Sequence, residues 1–150
     1  MQRLYLEDLV VGQRLASQGT YTVTEEEIRA FAQKFDPQPF HSDPVSARGT
    51  FFGGLIASGW HTAAMTMRLL ATDALPLAEG IIGLGGEISW PNPTRPGDVL
   101  RVVCELVEIT PSRSRPDRGV ARFLCSTLNQ RDETVQHLVA NLVVFGRSYR

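Results

Sequence analysis

The chain has 150 residues, 43% of them hydrophobic, enough to bury a core without disulfide or metal staples, and one domain over 1–150 is expected. Fifteen basic and sixteen acidic residues leave a formal charge of −1, which excludes the basic face of a nucleic-acid binder and the charge excess of a disordered chain. Lys34 is the only lysine, so positive charge is carried almost entirely by arginine.

The amino terminus, Met1 to Asp8, is charged too early to read as a secretory signal. Residues 12–23 alternate loosely and close on a short strand, Thr20 to Val23. Thr24 then opens a helix, with Glu27 placed for a capping box and Val23 and Ile28 for a hydrophobic staple. Ile28, Phe31, Ala32 and Phe35 form one apolar stripe at helical spacing. Asp36-Pro37 ends it, because the residue before proline is driven out of the helical region. The next segment, Pro37-Gln38-Pro39-Phe40-His41-Ser42-Asp43-Pro44, is expected to be a constrained loop in which three prolines prevent helix.

A second helix is expected over Ser58 to Ala71, with Trp60, Ala63, Ala64, Met67 and Leu70 as its buried stripe. The apolar run Gly53 to Met67 around its start is too short and too glycine-rich to span a bilayer, which points to a soluble cytoplasmic protein. After Pro76 the pattern becomes β: Ile81 to Leu84, Val99 to Ile109, Val120 to Leu128 and Val135 to Phe145, bounded by Gly, Pro, Asn and Asp. Leu100, Val102, Cys104 and Leu106 share one face, as do Leu138, Ala140, Leu142 and Val144. Gln130 to Glu133 reads as a hairpin connection. Helices first and antiparallel strands after them, without βαβ alternation, indicate an α+β fold in which a curved antiparallel sheet wraps one buried helix. Cys104 and Cys125 lie inside strands without metal-ligand spacing and read as free buried thiols.

Three features can carry chemistry. Asp36 and His41 sit five residues apart on a stiffened backbone, suited to work together as general base and acid on water; the plainer reading is a helix end and a satisfied loop histidine. The start of the second helix offers the Gly59 N–H, an orphan donor at the positive end of the helix dipole, where glycine lets a carbonyl oxygen approach; alternatively Gly53, Gly54 and Gly59 serve only close packing. Arg113, Arg115 and Arg118 crowd one inter-strand connection, with forked donors suited to phosphate, although such a loop is more commonly just solvated. His41, Asp43 and His61 do not make a recognised metal motif, so no metal is expected. Gly83-Leu84-Gly85-Gly86 lacks dinucleotide-binding spacing.

The segment Phe31 to Thr62 resembles the MaoC-like dehydratases, the family of the (R)-specific enoyl-CoA hydratases. Their motif has an Asp, a proline-containing spacer, and a His followed two residues later by Asp or Asn and then Pro. Asp36, His41, Asp43 and Pro44 match it; Phe35 and Gln38 stand where the motif usually carries Gly and Asn. The resemblance implies the hot-dog fold, a sheet around a long central helix. It implies reversible hydration of a trans-2-enoyl-CoA to a 3-hydroxyacyl-CoA, with R the expected configuration. Asp36 and His41 would activate the water and Gly59 N–H would hold the thioester oxygen. Gln38, Phe40, Ser58, Trp60 and the arginines Arg113, Arg115 and Arg118 would contact substrate. No metal or redox cofactor is implied, since CoA enters with the substrate. The partners implied are the acyl-CoA itself and a second copy, as a homodimer or dimer of dimers, with no nucleic acid or membrane, and fatty acid metabolism is the implied setting. Two other functions fit the same fold: a non-catalytic acyl-thioester-binding subunit, and an acyl-CoA thioesterase.

Overall fold

The computed structural model describes residues 2–149. Two short strands, β1 (Arg14–Ala16) and β2 (Tyr21–Thr22), precede helix α1 (Glu25–Phe35). Two single turns, α2 (Pro39–Ser42) and α3 (Pro44–Ala47), lead to the central helix α4 (Gly59–Leu69), and a π-helical turn over Leu70–Ala74 extends it. Four strands follow: β3 (Ile82–Ser89), β4 (Val99–Pro111), β5 (Arg118–Leu128) and β6 (Thr134–Phe145). All pair antiparallel in the order β1-β4-β5-β6-β3, with β2 on a separate stretch of β4. This is the expected α+β hot-dog arrangement.

The strand periodicity reads through to the core. Leu100, Val102, Cys104 and Leu106 are all buried on the inner face of β4, and Ala121, Phe123 and Cys125 continue that face on β5. Leu142 and Val144 are buried on β6, with Leu138 and Ala140 packed against the core from the same face. Cys104 and Cys125 are register partners on β4 and β5, both buried and unbridged. Edge strand β3 departs from the pleat at a bulge between Gly83 and Gly85. Beyond it, a Cβ on Gly86 would lie 1.7 Å from the Val139 carbonyl oxygen of β6, so only glycine lets the two backbones meet there. The strands' far end is clasped by residues 7–8 and 146–147: Arg147 Nη2 donates to both Asp8 carboxylate oxygens at 2.8 Å, and its backbone N–H donates to Glu7.

Three local expectations are corrected. Thr24 caps α1 by accepting from the Glu27 N–H at 3.2 Å, and Val23 and Ile28 are both buried beside it. The Glu27 carboxylate, however, accepts from the Tyr21 hydroxyl, so the reciprocal half of the capping box is not made. The proline-rich segment is not free of helix. Pro39 and Pro44 each stand in the first turn of a one-turn helix, where the missing N–H costs nothing.

Of the stripe expected from hydrophobicity, only Leu70, in the π-helical turn, is buried. His61, Thr62, Met65, Thr66 and Leu69 face the core, while Trp60 is 63% and Met67 42% exposed. Hydrogen bonding accounts for the inversion. Thr66 Oγ1 and Thr127 Oγ1 are 2.7 Å apart, and Thr62 Oγ1 donates to Thr94 Oγ1 at 3.0 Å, so the hydroxyls enter the core satisfied. Among the described residues, no helix is long and apolar enough to cross a membrane.

Candidate active site

Asp36 terminates α1: its N–H closes the last turn on the Ala32 carbonyl at 2.9 Å, while its own backbone leaves helical geometry. The short turn α2 then carries His41 back under the end of α1. His41 is 5% exposed, and its Nδ1 lies 2.7 Å from the Ile56 carbonyl oxygen. A carbonyl only accepts, so Nδ1 carries the proton and Nε2 is turned towards the site. There Nε2 stands 3.3 Å from Asp36 Oδ2. With the proton on Nδ1, Nε2 and Asp36 Oδ2 face the site as two neighbouring acceptors, and a water beside them can donate to either.

The second Asp36 oxygen is occupied, since Gln38 Nε2 donates to Oδ1 at 2.6 Å. Burial pushes the Asp36 pKa up, but the adjacent Ser58 hydroxyl, the Gln38 amide and the His41 ring outweigh it, and the net shift is downward. Asp36 is therefore a carboxylate at neutral pH. Ser58 Oγ is buried beside that carboxylate yet lacks a well-aligned hydrogen-bond partner. Its influence is a matter of proximity, and its donor remains free to rotate.

Gly59 is the first residue of α4, and among the described residues its N–H has no protein acceptor. A Cβ at this position would meet the Trp90 indole at 2.8 Å. Trp90 is held in turn by donating its Nε1–H to Gln136 Oε1 at 3.0 Å, and it stands edge-on to Trp60 with centroids 5.5 Å apart. His41 and Gly59 both border a cavity of about 240 Å³ walled by Phe40, Phe52, Ile56, Trp90 and Pro93, with Thr62 and Thr94 contributing hydroxyls. A wider groove of about 620 Å³ lies on the outer face of the sheet, around Arg101, Glu105, Ser126 and His137; none of the site residues borders it.

The structure thus brings Asp36, His41, Gly59 and Phe40 together. It places Gln38 and Ser58 on the acid rather than on the cavity wall, and Trp60 outside the cavity, bracing Trp90. The arginine connection is not part of this group within one chain. It joins β4 to β5 at the Phe145 end of the sheet, whereas Thr127 and Gln136 mark the end nearer the cavity, about nine residues or ~30 Å away along β5. Arg118 is committed there to Asp117 at 3.0 Å and to the Phe145 and Tyr149 rings, each 5.2 Å away; Arg115 lies 3.9 Å from Asp117, and Arg113 is exposed.

Trp90, Thr62, Thr94, Ile56 and Phe52 were not singled out from sequence as site residues. Their common signal is spatial, because they come from α4, the Phe52–Ile56 stretch and the segment after β3. His61 is a packed residue: its ring stacks on Phe31 at 4.7 Å, its Nδ1 is unpartnered, and burial pushes its pKa down.

Comparison with known proteins identifies the family and the fold. The MaoC-like domain family model matches residues 8–124. A solved MaoC-like dehydratase from Rhodospirillum rubrum is 59% identical with a TM-score of 0.94, over 97% of this chain and 99% of that one. The unliganded R-hydratase PhaJ1 from Pseudomonas aeruginosa is 27% identical with a TM-score of 0.76, over 97% and 88%. A 3-hydroxybutyryl-CoA dehydratase from Methylorubrum extorquens is 33% identical over 133 residues, which are 88% of this chain and 78% of that protein. With a matching motif, a matching fold and a family model spanning most of its length, this chain belongs to the MaoC-like dehydratase family.

Proposed function

We propose that the protein is a hydro-lyase that adds water reversibly across the double bond of a trans-2-enoyl-CoA, giving a 3-hydroxyacyl-CoA of R configuration. The observation that carries this reading is His41 Nε2 facing Asp36 Oδ2 at 3.3 Å, with Nδ1 pinned to Ile56, at the edge of an apolar cavity that Gly59 also borders. A water seated beside the two acceptors, within reach of both, can donate to one while its oxygen attacks C3. Electron density moves through C2 onto the thioester oxygen, where the unaccepted Gly59 N–H stabilises the enolate. The proton taken from water is then delivered to C2, so the elements of one water are added and no redox change occurs. Gln38 holds the other Asp36 oxygen, which fixes the acid's orientation in place of the usual asparagine.

The dehydratase relative and the R-hydratase neighbour support the reaction class. Thioester hydrolysis is less well supported, because α4 carries no acidic residue beside the cavity. A second copy fits the free edge of β3, eight residues long and exposed along most of its length. A phosphate-binding role for Arg113, Arg115 and Arg118 would require that second copy, since their own chain keeps them distant from the cavity. The test is the enoyl-thioester absorbance on mixing with trans-2-enoyl-CoAs. Loss of the band without free thiol is the expected result; thiol release would identify a thioesterase, and a flat trace with tight binding a non-catalytic subunit.

A further inference from the structure

The cavity beside His41 has a floor and a rim of different character. Phe52 and Pro93 are partly exposed and Trp90 is 39% exposed, which places them at the rim; Ile56, Ala57, Thr62 and Thr94 are buried and close the inner end. The two threonines are joined at 3.0 Å, with Thr62 donating, and among the described residues no acceptor takes the Thr94 hydroxyl proton. The cavity therefore ends in polar groups that cannot withdraw. Thr62 is fixed on the central helix, and the Thr94 backbone is tied to this wall by accepting from the Ala57 N–H at 2.8 Å. At roughly 30 Å³ per non-hydrogen atom, the share of liquid volume one water takes, about 240 Å³ holds about eight such atoms.

We propose that the Thr62–Thr94 pair is the chain-length stop of this protein and that it restricts the acyl group to short chains, up to about eight carbons. This rests on the reading of the site as an acyl-thioester pocket. A methylene that enters the cavity gains apolar burial. One driven against the pair must displace a rigid wall and cover an unaccepted hydroxyl proton with hydrocarbon, which costs more than the methylene gains.

Saturated acyl-CoAs have no double bond to hydrate, so their binding reports the pocket independently of turnover. Calorimetric titration of the wild-type protein from butyryl- to dodecanoyl-CoA is expected to show about fourfold tightening per added methylene while the chain fits, then a plateau or weakening past about octanoyl. Thr62→Ala and Thr94→Ala each remove a hydroxyl and a methyl from the inner end and leave the backbone contacts in place. Each is expected to move the break about one to two carbons outward. Equal tightening through dodecanoyl-CoA in the wild type, or an unmoved break in both folded variants, overturns the stop while leaving the acyl-thioester reading intact. Failure to bind any acyl-CoA overturns that reading, and the stop with it.

Discussion

Asp36→Asn is the sharpest perturbation of the proposed chemistry, because the contacts that position the acid survive it and only the modest stabilisation carried by its charge is lost. The Gln38 amide can still donate to the remaining side-chain oxygen, now an amide carbonyl, as it does to Oδ1 at 2.6 Å. The new NH₂ group would face His41 Nε2 across a gap that is 3.3 Å in the wild type, donor to acceptor. Asp36 does not line the cavity, so substrate affinity should change little. What disappears is the acceptor for the water proton and the negative charge beside His41. Loss of a general base costs about 10²- to 10⁴-fold in kcat, or about 2.7–5.5 kcal/mol in the barrier. The assay is stopped-flow loss of the enoyl-thioester absorbance, with KM and thermal midpoint measured on the same preparation. A kcat within threefold of wild type on a turned-over substrate would refute the assignment. A collapse in thermal midpoint would refute the claim that the acid's role is chemical rather than structural.

Other perturbations test the surroundings. Gly59→Ala puts a methyl 2.8 Å from the Trp90 ring and should cost about 1–3 kcal/mol by denaturant unfolding, offset in part by alanine's helix propensity; Trp90→Leu in the same background should recover most of it. Gly86→Ala drives a Cβ into the Val139 carbonyl and should lower stability by at least about 3 kcal/mol or abolish soluble expression, with wild-type-like melting as the contrary result. His61 is neutral in the folded state, with its pKa below the ordinary 6.5 because of burial. The unfolded chain therefore binds the extra proton first, and stability should be full above about pH 6.5 and decline as pH falls below it. His61→Phe should flatten that decline in urea titrations at pH 5 and pH 8. The Asp36 contribution has the same direction at lower pH: its depressed pKa stabilises the fold above the ordinary carboxylate range, and that stability is lost as pH falls through the folded value.

The strands were legible because their inner faces alternate with period two against a mostly apolar core, and the same rule placed β4 and β6 correctly. The closeness of Asp36 and His41 was legible because the prolines around them restrict the backbone. Pattern failed on α4, where Thr62 and Thr66 are buried by hydroxyl pairs whose partners, Thr94 and Thr127, are 32 and 61 residues away in sequence. Hydrophobicity alone assigned that face to Trp60 and Met67. The neighbourhood of Gln38 and Ser58 was hidden for a related reason: Gln38 turns back onto Asp36 at the start of α2, and Ser58 comes beside the same carboxylate only because α4 begins there. The arginine cluster reads as a ligand site in one dimension, but Asp117, Phe145 and Tyr149 already engage Arg118 in three.

The facing thiols of Cys104 and Cys125 turn the core into its own reporter. A hydrogen bond with the Cys125 thiol and then burial raise the Cys104 pKa far beyond neutrality, and only a thiolate reacts with alkylating or disulfide reagents. No other cysteine exists in the chain to give a background signal. Both sulfurs lie on strands flanked on both sides within the sheet, whose exposure requires the sheet to open rather than a loop to fray. The rate at which a thiol reagent labels the untouched protein therefore measures opening of the whole fold under native conditions, in the same buffer and cuvette in which turnover is followed.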